Sequence, residues 1–449
     1  MRLTIIGTGY VGLVAAVCFA KLGHFVTAVD RIHVIQDLRE NKLAIWEPDL
    51  QEMLETCLSE GRLSFDTNVA NASRGADALM IAVGTPTGVN GQTDLSQVDD
   101  VIAQLKQAGG VCPPFIIMKS TVPVGTCDEL EANLLTAGLH SEVVFNPEFL
   151  RQGSAINDFM NPDRIVFGCR SHLAKAALHQ LYKGINAPIQ VCDRRSAELI
   201  KYASNAFLAM KISFANMIAD VCEGYGADNR QVMQGVGADR RIGPHFLREG
   251  IGYGGSCFSK DLQSLLTSGK AIGRSLPLLE ATAQINEERI PQLLEKLISL
   301  WGNPRGKRLG VLGISFKPNT NDMRDAPFLT LLRLCYLYGI EVQIYDPVVL
   351  PTSIEGVIQK DTAYEVAAAA DALIIMTEWP QFAELDWVLM VQLMHQPILF
   401  DGRNVISDET ISQLMMVKNM VYIPVGRPME RTTLTLERDI STLRHSYGT

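Results

Sequence analysis

Short apolar runs alternate with amphipathic stretches at the start of this chain. Leu3–Ile6 reads as a buried strand, Val11–Leu22 as a helix with small residues towards the preceding turn, and Phe25–Asp30 as a second strand. Ala78–Val83, Phe115–Met118, Glu142–Phe145 and Ile165–Gly168 continue the series, the last expected to close the sheet. Strands alternating with helical patterns predict a parallel sheet covered by helices. From Ser196 to Tyr225 apolar residues fall at helical spacing without a proline, which predicts one long helix stopped near Gly224 and Gly226. Shorter helices follow at Arg230–Gly235, Asp261–Thr267 and Leu276–Leu300, so the middle of the chain is helical. After Gly302-Asn303-Pro304-Arg305-Gly306 the alternation restarts, with strands at Arg308–Ile314, Glu341–Tyr345, Ala372–Met376, Pro397–Phe400 and Val421–Pro424.

The last part echoes the first. Ala76-Asp77-Ala78-Leu79-Met80-Ile81 resembles Ala370-Asp371-Ala372-Leu373-Ile374-Ile375, and Val26–Asp30 resembles Val342–Asp346. The fold class is α/β: two Rossmann-like doubly wound domains joined by a long central helix and a small helical domain. The expected boundaries are 1–195, 196–300 and 301–449. The last 20 or so residues, rich in charge, are expected to be partly mobile.

Composition narrows the function. A hydrophobic content of 47% with 20% charged residues supports ordinary globular cores. A net charge of -9 without a long basic run argues against a nucleic-acid surface. The nine cysteines show neither a C-x-x-C pair nor a histidine at metal-ligand spacing, so no metal site is expected and they read as reduced residues of a cytoplasmic protein. A strand beginning at residue 3 leaves no room for a signal peptide, and no apolar run reaches the roughly 20 residues needed to span a membrane.

Two segments carry the chemistry. Gly7-Thr8-Gly9-Tyr10-Val11-Gly12 follows a strand, opens a helix and precedes an acid, Asp30, at the end of the next strand. The glycines let backbone approach a pyrophosphate, and Asp30 accepts from ribose hydroxyls, which favours NAD; Arg31 is the residue that could instead meet a 2′-phosphate. The second segment is Gly254-Gly255-Ser256-Cys257-Phe258-Ser259-Lys260-Asp261, approached through Gly250 and Gly252. A cysteine just before a helix N-terminus with a lysine nearby is expected to have a lowered pKa and to be a nucleophile. A nicotinamide site plus a nucleophilic thiol suggests an oxidation that passes through an aldehyde and a thioester. On the long helix Lys201 and Asn205 share a face. Lys201 either snorkels to water or is held in a polar pocket. Glu148 lies just beyond a strand end, near a ligand crevice or in an ordinary turn. Val83-Gly84-Thr85-Pro86-Thr87 and the loop from Ser120 to Thr126 are further loops after strands, suited to phosphate or ribose contacts or to plain turns.

These motifs together resemble the UDP-glucose/GDP-mannose dehydrogenase family. The likeness runs in order through Ile45-Trp46-Glu47-Pro48, the loops at Thr85 and Thr121, Asn146-Pro147-Glu148-Phe149-Leu150, Pro162–Val166, the Lys201/Asn205 helix, the cysteine loop, Ser315–Arg324 and Asp401-Gly402-Arg403. Glu148-Phe149-Leu150-Arg151 and Phe246-Leu247-Arg248 place it nearest the members that act on UDP-glucose. The resemblance implies that UDP-glucose, two NAD and water give UDP-glucuronate; UDP-N-acetylmannosamine and GDP-mannose are the alternatives. It implies Cys257 as nucleophile, Lys201 and Asn205 around the oxyanion, Glu148 in acid–base steps, and Asp261 and Thr121 placing the hydrolytic water. It further implies NAD contacts from Gly7, Gly9, Tyr10, Val11, Gly12, Asp30, Thr85, Pro86, Thr121, Gln152, Lys260 and Arg324. The sugar nucleotide would be met by Glu148, Phe149, Leu150, Lys201, Asn205, Phe246, Leu247, Arg248, Gly254, Lys317 and Arg403. Arg241 would reach the sugar of a neighbouring subunit, so a homodimer or larger homo-oligomer is expected. Ser259 and Gln152 depart from the usual proline and glutamate of the family. A two-electron hydroxyacid dehydrogenase could share the first two domains and a helix lysine, but Cys257 and the third domain argue against it. An NAD-binding scaffold is opposed by the intact Cys257, Lys201, Asn205 and Glu148 set.

Overall fold

Strands that are apolar on both faces need cover on both sides, and the chain builds two sheets of that kind. A computed structural model describes residues 1–88, 91–107, 112–349 and 354–432. The charged C-terminal stretch read as mobile lies outside the described residues, apart from its first few positions. The first sheet comprises β1 (Arg2–Ile6), β2 (Phe25–Val29), β3 (Leu63–Asp66), β4 (Ala78–Ile81), β5 (Phe115–Met118), β6 (Glu142–Phe145), β7 (Ile165–Gly168) and β8 (Ile189–Cys192). Its order is β3-β2-β1-β4-β5-β6-β7-β8. Every neighbour is parallel except β6 and β7, which meet at the single pair Phe145 and Gly168. The second sheet comprises β9 (Arg308–Leu312), β10 (Glu341–Tyr345), β11 (Val357–Gln359), β12 (Ala372–Ile375), β13 (Ile398–Asp401), β14 (Val421–Pro424) and β15 (Glu430–Arg431). Its order is β11-β10-β9-β12-β13-β14-β15, with only β15 antiparallel.

Both sheets are doubly wound. Strand order reverses beside β1 in the first and beside β9 in the second, so each opens a crevice at the carboxyl ends of its central strands. β4, β7, β12 and β13 are buried at every residue, which is why the first three are unbroken apolar runs and β13 is apolar up to its last residue, Asp401. Ile165–Gly168 does not close the first sheet: β8 lies beyond it. β8 and β11 are mostly half-buried or exposed, so their sequences lack the apolar signature of central strands.

The chain divides into two compact units. The first holds Met1–Ser213, Tyr253–Asn286 and Phe316–Ala326; the second holds Phe214–Gly252, Glu287–Ser315 and the chain from Pro327 on. The long helix, Arg194–Tyr225, and the helix Pro277–Trp301 each contribute to both. Phe316–Ala326 is a strap that leaves the second sheet's sequence and packs within the first unit. Among the described residues no helix is long and apolar enough to cross a membrane.

Candidate active site

The turn after β1 shows a different need at each glycine. Gly7 has φ +94°, and a Cβ there would stand 2.6 Å from the Ala82 carbonyl oxygen. A Cβ at Gly12 would collide with the Gly7 carbonyl, so the helix Tyr10–Lys21 can pack on its turn only with glycine at that position. At Gly9 a Cβ would meet nothing within 4 Å. Gly7 and Gly12 shape the turn and Gly9 keeps its approach open, with no side chain capping the helix N-terminus. This is the arrangement a pyrophosphate requires, and the residues present fit NAD.

Asp30 follows β2. One carboxylate oxygen accepts from the Thr8 amide at 2.7 Å and its hydroxyl at 2.9 Å; the other accepts from the Arg31 amide at 2.7 Å. The Arg31 guanidinium is 3.8 Å from Asp30 and its side chain is 80% exposed, so its charge is partly offset. Two oxygens with four lone-pair sites leave Asp30 room for a ribose hydroxyl. Thr8 was not singled out in the sequence; it is the middle residue of a glycine turn, with no pattern to mark it.

Further along the crevice, the Thr85 hydroxyl donates to the Thr121 carbonyl at 2.8 Å, tying the loop after β4, which includes Pro86, to the loop after β5. The Tyr10 hydroxyl donates to the Trp46 carbonyl at 2.6 Å and shares a 2.8 Å hydrogen bond with Thr320 of the strap. Gln152 donates to Asp322 at 2.9 Å. A glutamate there would oppose that carboxylate, so the amide suits this surrounding. Asp322 also holds Arg324 through bonds of 2.6 and 2.9 Å. Arg324 in turn is felt electrostatically by Cys257 and Tyr10. Lys317 stands over the Phe316 ring and its charge reaches Glu47.

The long helix resolves the two readings of Lys201. It is 3% exposed, and its ammonium donates to the Glu148 carboxylate at 2.8 Å and to the Glu148 carbonyl at 2.7 Å. Lys201 is therefore held in a polar pocket. Burial works against charge on both groups, but their attraction prevails: Glu148, aided by the Leu150 amide, is held below the usual carboxylate range, and Lys201 is held above its own. Phe149 supports both sides, with the Arg164 guanidinium 3.9 Å from its ring centroid and Lys201 at 5.3 Å. One helical turn on, Asn205 donates to Asp261 at 2.6 Å, and the other Asp261 oxygen accepts from Lys260 at 2.6 Å.

Cys257 is the N-cap of the helix Phe258–Ala271 and is accessible to solvent. Its glycine approach is anchored rather than loose. Asn286 grips Tyr253 through the amide at 2.8 Å and the carbonyl at 3.1 Å, and the Gly255 amide donates to the Arg324 carbonyl at 2.9 Å. Gly255 has φ +85°, and a Cβ there would lie 2.8 Å from the Phe316 ring, while Gly254 beside it is buried. Ser259 sits in the first turn of that helix, where loss of a proline costs little. The expected lowering of the thiol pKa is corrected. Desolvation by the surrounding atoms, followed by the Glu148 charge, pushes Cys257 up, and Asp261 adds to this; Lys201 and a hydrogen bond from Ser256 pull the other way. Lys260, the lysine expected to activate the thiol, is paired with Asp261.

The remaining expected contacts lie in the second unit. Arg241 is paired with Asp239 at 2.6 Å and is 88% exposed. Arg248 donates to the Arg403 carbonyl at 2.7 Å, and Arg403 donates to the Met376 carbonyl at 2.9 Å beside Glu378 at 3.3 Å. Leu247 is buried with Met233 and Ala215, and Phe246 has φ +62°. Among the described residues no cluster of three or more metal-ligating side chains occurs.

A dinucleotide crevice beside a buried Lys–Glu pair and a cysteine is the site of a dehydrogenase. Residues 1–186, 195–288 and 310–408 match the NAD binding, central and UDP binding domains of one family. UDP-glucose 6-dehydrogenase TuaD of Bacillus subtilis is 41% identical over 96% of this chain and 94% of its own length. UDP-glucose 6-dehydrogenase of Pseudomonas aeruginosa is 39% identical over 95% and 98%. The structure of a UDP-glucose dehydrogenase from Pyrobaculum islandicum superposes with a TM-score of 0.87 at 36% identity, covering 95% of this chain and 98% of its own. The chain belongs to the UDP-glucose/GDP-mannose dehydrogenase family and is an NAD-dependent oxidoreductase.

Proposed function

We propose that the chain oxidises the C6 alcohol of UDP-glucose to the carboxylate of UDP-glucuronate in two two-electron steps. The observation that carries this reading is the buried Glu148–Lys201 pair with the Asn205–Asp261 contact one helical turn on, both within electrostatic reach of Cys257. Relatives named for UDP-glucose span nearly the whole chain. When bound, NAD would be held at the Gly9 turn and by Asp30 and would supply the hydride acceptor for each step. The ionised Glu148 takes the alcohol proton. Protonating Glu148 removes the negative charge that most opposes the Cys257 thiolate, so the first oxidation primes the thiol for the aldehyde it has produced. Sulfur adds to the aldehyde carbon, and the thiol proton ends on the new hydroxyl. Loss of that hydroxyl proton and a second hydride gives a thioester, which water cleaves to carboxylate and free thiol. Lys201 and Asn205 face each oxyanion, and Asp261 and Thr121 place the water. A reducing, cytoplasmic setting belongs to this reading, because Cys257 must remain a thiol.

The test is a panel of UDP-glucose, UDP-N-acetylmannosamine and GDP-mannose, counting NADH per sugar. Two NADH per UDP-glucose are expected, with kcat/KM for NAD at least about tenfold above NADP because Asp30 faces the ribose. Faster oxidation of another sugar nucleotide would overturn the substrate; equal use of NADP would show that Arg31 outweighs Asp30.

The same reading includes a homo-oligomer. Phe214, Met217, Val221 and Tyr225 lie three or four apart on the long helix, each more than 40% exposed, an apolar stripe suited to a second copy. Arg241 would then act on the neighbour's sugar. Mixed Arg241→Ala and Cys257→Ala subunits should regain activity that neither homomer shows. Hybrids that form and stay inactive would refute the shared site.

A further inference from the structure

Lys119 is a buried cation that the chemistry above does not use. It follows β5, at the crevice end of the first sheet, and is 3% exposed. Among the described residues its contacts are neutral oxygens: the Tyr182 hydroxyl at 3.2 Å, the Asn146 carbonyl and side-chain oxygen at 3.4 Å each, and the Pro147 carbonyl at 3.5 Å. Three of these acceptors belong to the exit of β6 into Asn146-Pro147-Glu148, and the fourth, the Tyr182 hydroxyl, is itself bonded to Asn146. Asn146 is fully buried; its amide nitrogen donates to the Val166 carbonyl at 3.0 Å, and its oxygen accepts from Tyr182 at 2.6 Å. The rings of Phe159 and Tyr182 flank the ammonium at 6.0 and 5.9 Å. A cavity of about 110 Å³, lined in part by Lys119, Glu148, Phe149 and Tyr182, adjoins it.

A buried ammonium without a carboxylate in contact is costly, and a neutral side chain of the same length would pack there more cheaply. Its four acceptors all fix the turn that presents Glu148. Resting on the reading of Glu148 as the acid–base group, we propose that Lys119 is a positioning residue, clamping the Asn146–Glu148 turn from below and holding the Glu148 carboxylate against Lys201. The charged and titratable groups facing Glu148 are Lys201 from the long helix, Lys119 from the loop after β5 and Cys257 from the cysteine loop. Those facing Lys119 are Glu148, Lys201 and Tyr182. Burial brings Lys119 down to about 8, with Glu148 opposing that fall, so in acid it adds a positive charge to the surroundings of Glu148.

The test uses the full chain and Lys119→Met, which keeps an unbranched side chain. Difference infrared titration, with the Glu148→Gln spectrum subtracted, reads Glu148 without depending on any substrate. The Glu148 midpoint is expected to move to higher pH in Lys119→Met. In turnover with UDP-glucose, kcat should fall about tenfold with KM for NAD unchanged, as for a misplaced reacting group. Tyr182→Phe removes one acceptor without changing ring volume; it should lower kcat about threefold in the same pattern, and it carries the test if Lys119→Met does not fold. A Glu148 titration and kcat like wild type, in whichever variants fold, would overturn the proposal even if their melting temperatures drop. Wild type that titrates as expected but leaves UDP-glucose unoxidised would instead refute the assigned substrate.

Discussion

Cys257→Ala will form no covalent adduct with the sugar and will lose sustained four-electron turnover by at least about 10³-fold. The loss follows from what the thiol does rather than from a standing thiolate. Desolvation, then Glu148 and Asp261, opposes ionisation of Cys257 in the resting site, so in the proposed mechanism the sulfur becomes reactive as the local charge changes during the first oxidation. Without sulfur there is no thiohemiacetal to give up the second hydride. Cys257→Ser separates addition from release. A serine oxygen can add to the aldehyde, but an oxygen ester hydrolyses far more slowly than a thioester. This variant should therefore stall after at most two NADH per site and retain the sugar, visible as added mass on the intact protein. Cys257→Ala should still reduce externally supplied UDP-aldehyde, because that half-reaction needs hydride transfer and Lys201 but no sulfur. Near wild-type production of UDP-glucuronate by Cys257→Ala, with two NADH per sugar, would sink the covalent mechanism.

The thiol also marks where sequence reasoning works and where it stops. Its place just before a helix was legible, because Asp261-Leu262-Gln263-Ser264-Leu265-Leu266 carries a helical pattern and the helix does begin at Phe258. The direction of its pKa was not. The local argument saw a helix N-terminus and Lys260, whereas desolvation in the folded site, followed by the charge of Glu148 brought in from the end of another strand, pushes the thiol up. Central strands could be read to within a residue or two because burial on both faces forces an unbroken apolar run, as in β5 and β6. The half-buried edge strand β8 has no such constraint and was missed. Lys119 ends an apolar run in the way a snorkelling lysine would, and nothing local announces the Tyr182 hydroxyl that receives it. The strap is a similar case: its motif was visible, but its return to the first unit depends on Tyr10, Gln152 and Gly255 finding Thr320, Asp322 and Arg324.

Lys201→Ala will impair both oxidations, lowering kcat by about 10² to 10³ with UDP-glucose and by a similar factor with supplied UDP-aldehyde. In the proposed mechanism each reaction passes through an alkoxide or oxyanion, with Lys201 as the cation facing it. The pattern across two variants is therefore diagnostic: Cys257→Ala keeps the aldehyde half-reaction and Lys201→Ala loses it. The variant also leaves Glu148 buried with its main counter-charge gone. Removing one partner of a buried ion pair costs about 3–5 kcal/mol of stability, and the remaining carboxyl should titrate at higher pH, moving the acid limb of kcat/KM upward. Stability and catalysis can then be separated. The double variant Lys201→Ala/Glu148→Gln removes both charges of the pair, so its melting temperature should recover towards wild type while activity stays below that of Glu148→Gln alone. A double variant as stable as wild type and as active as Glu148→Gln alone would show that Lys201 serves the fold alone. Recovered stability with turnover still below that of Glu148→Gln alone would leave the ammonium acting on the oxyanion, which is the role that its position against Glu148 and the fields of Asp261 and Cys257 support.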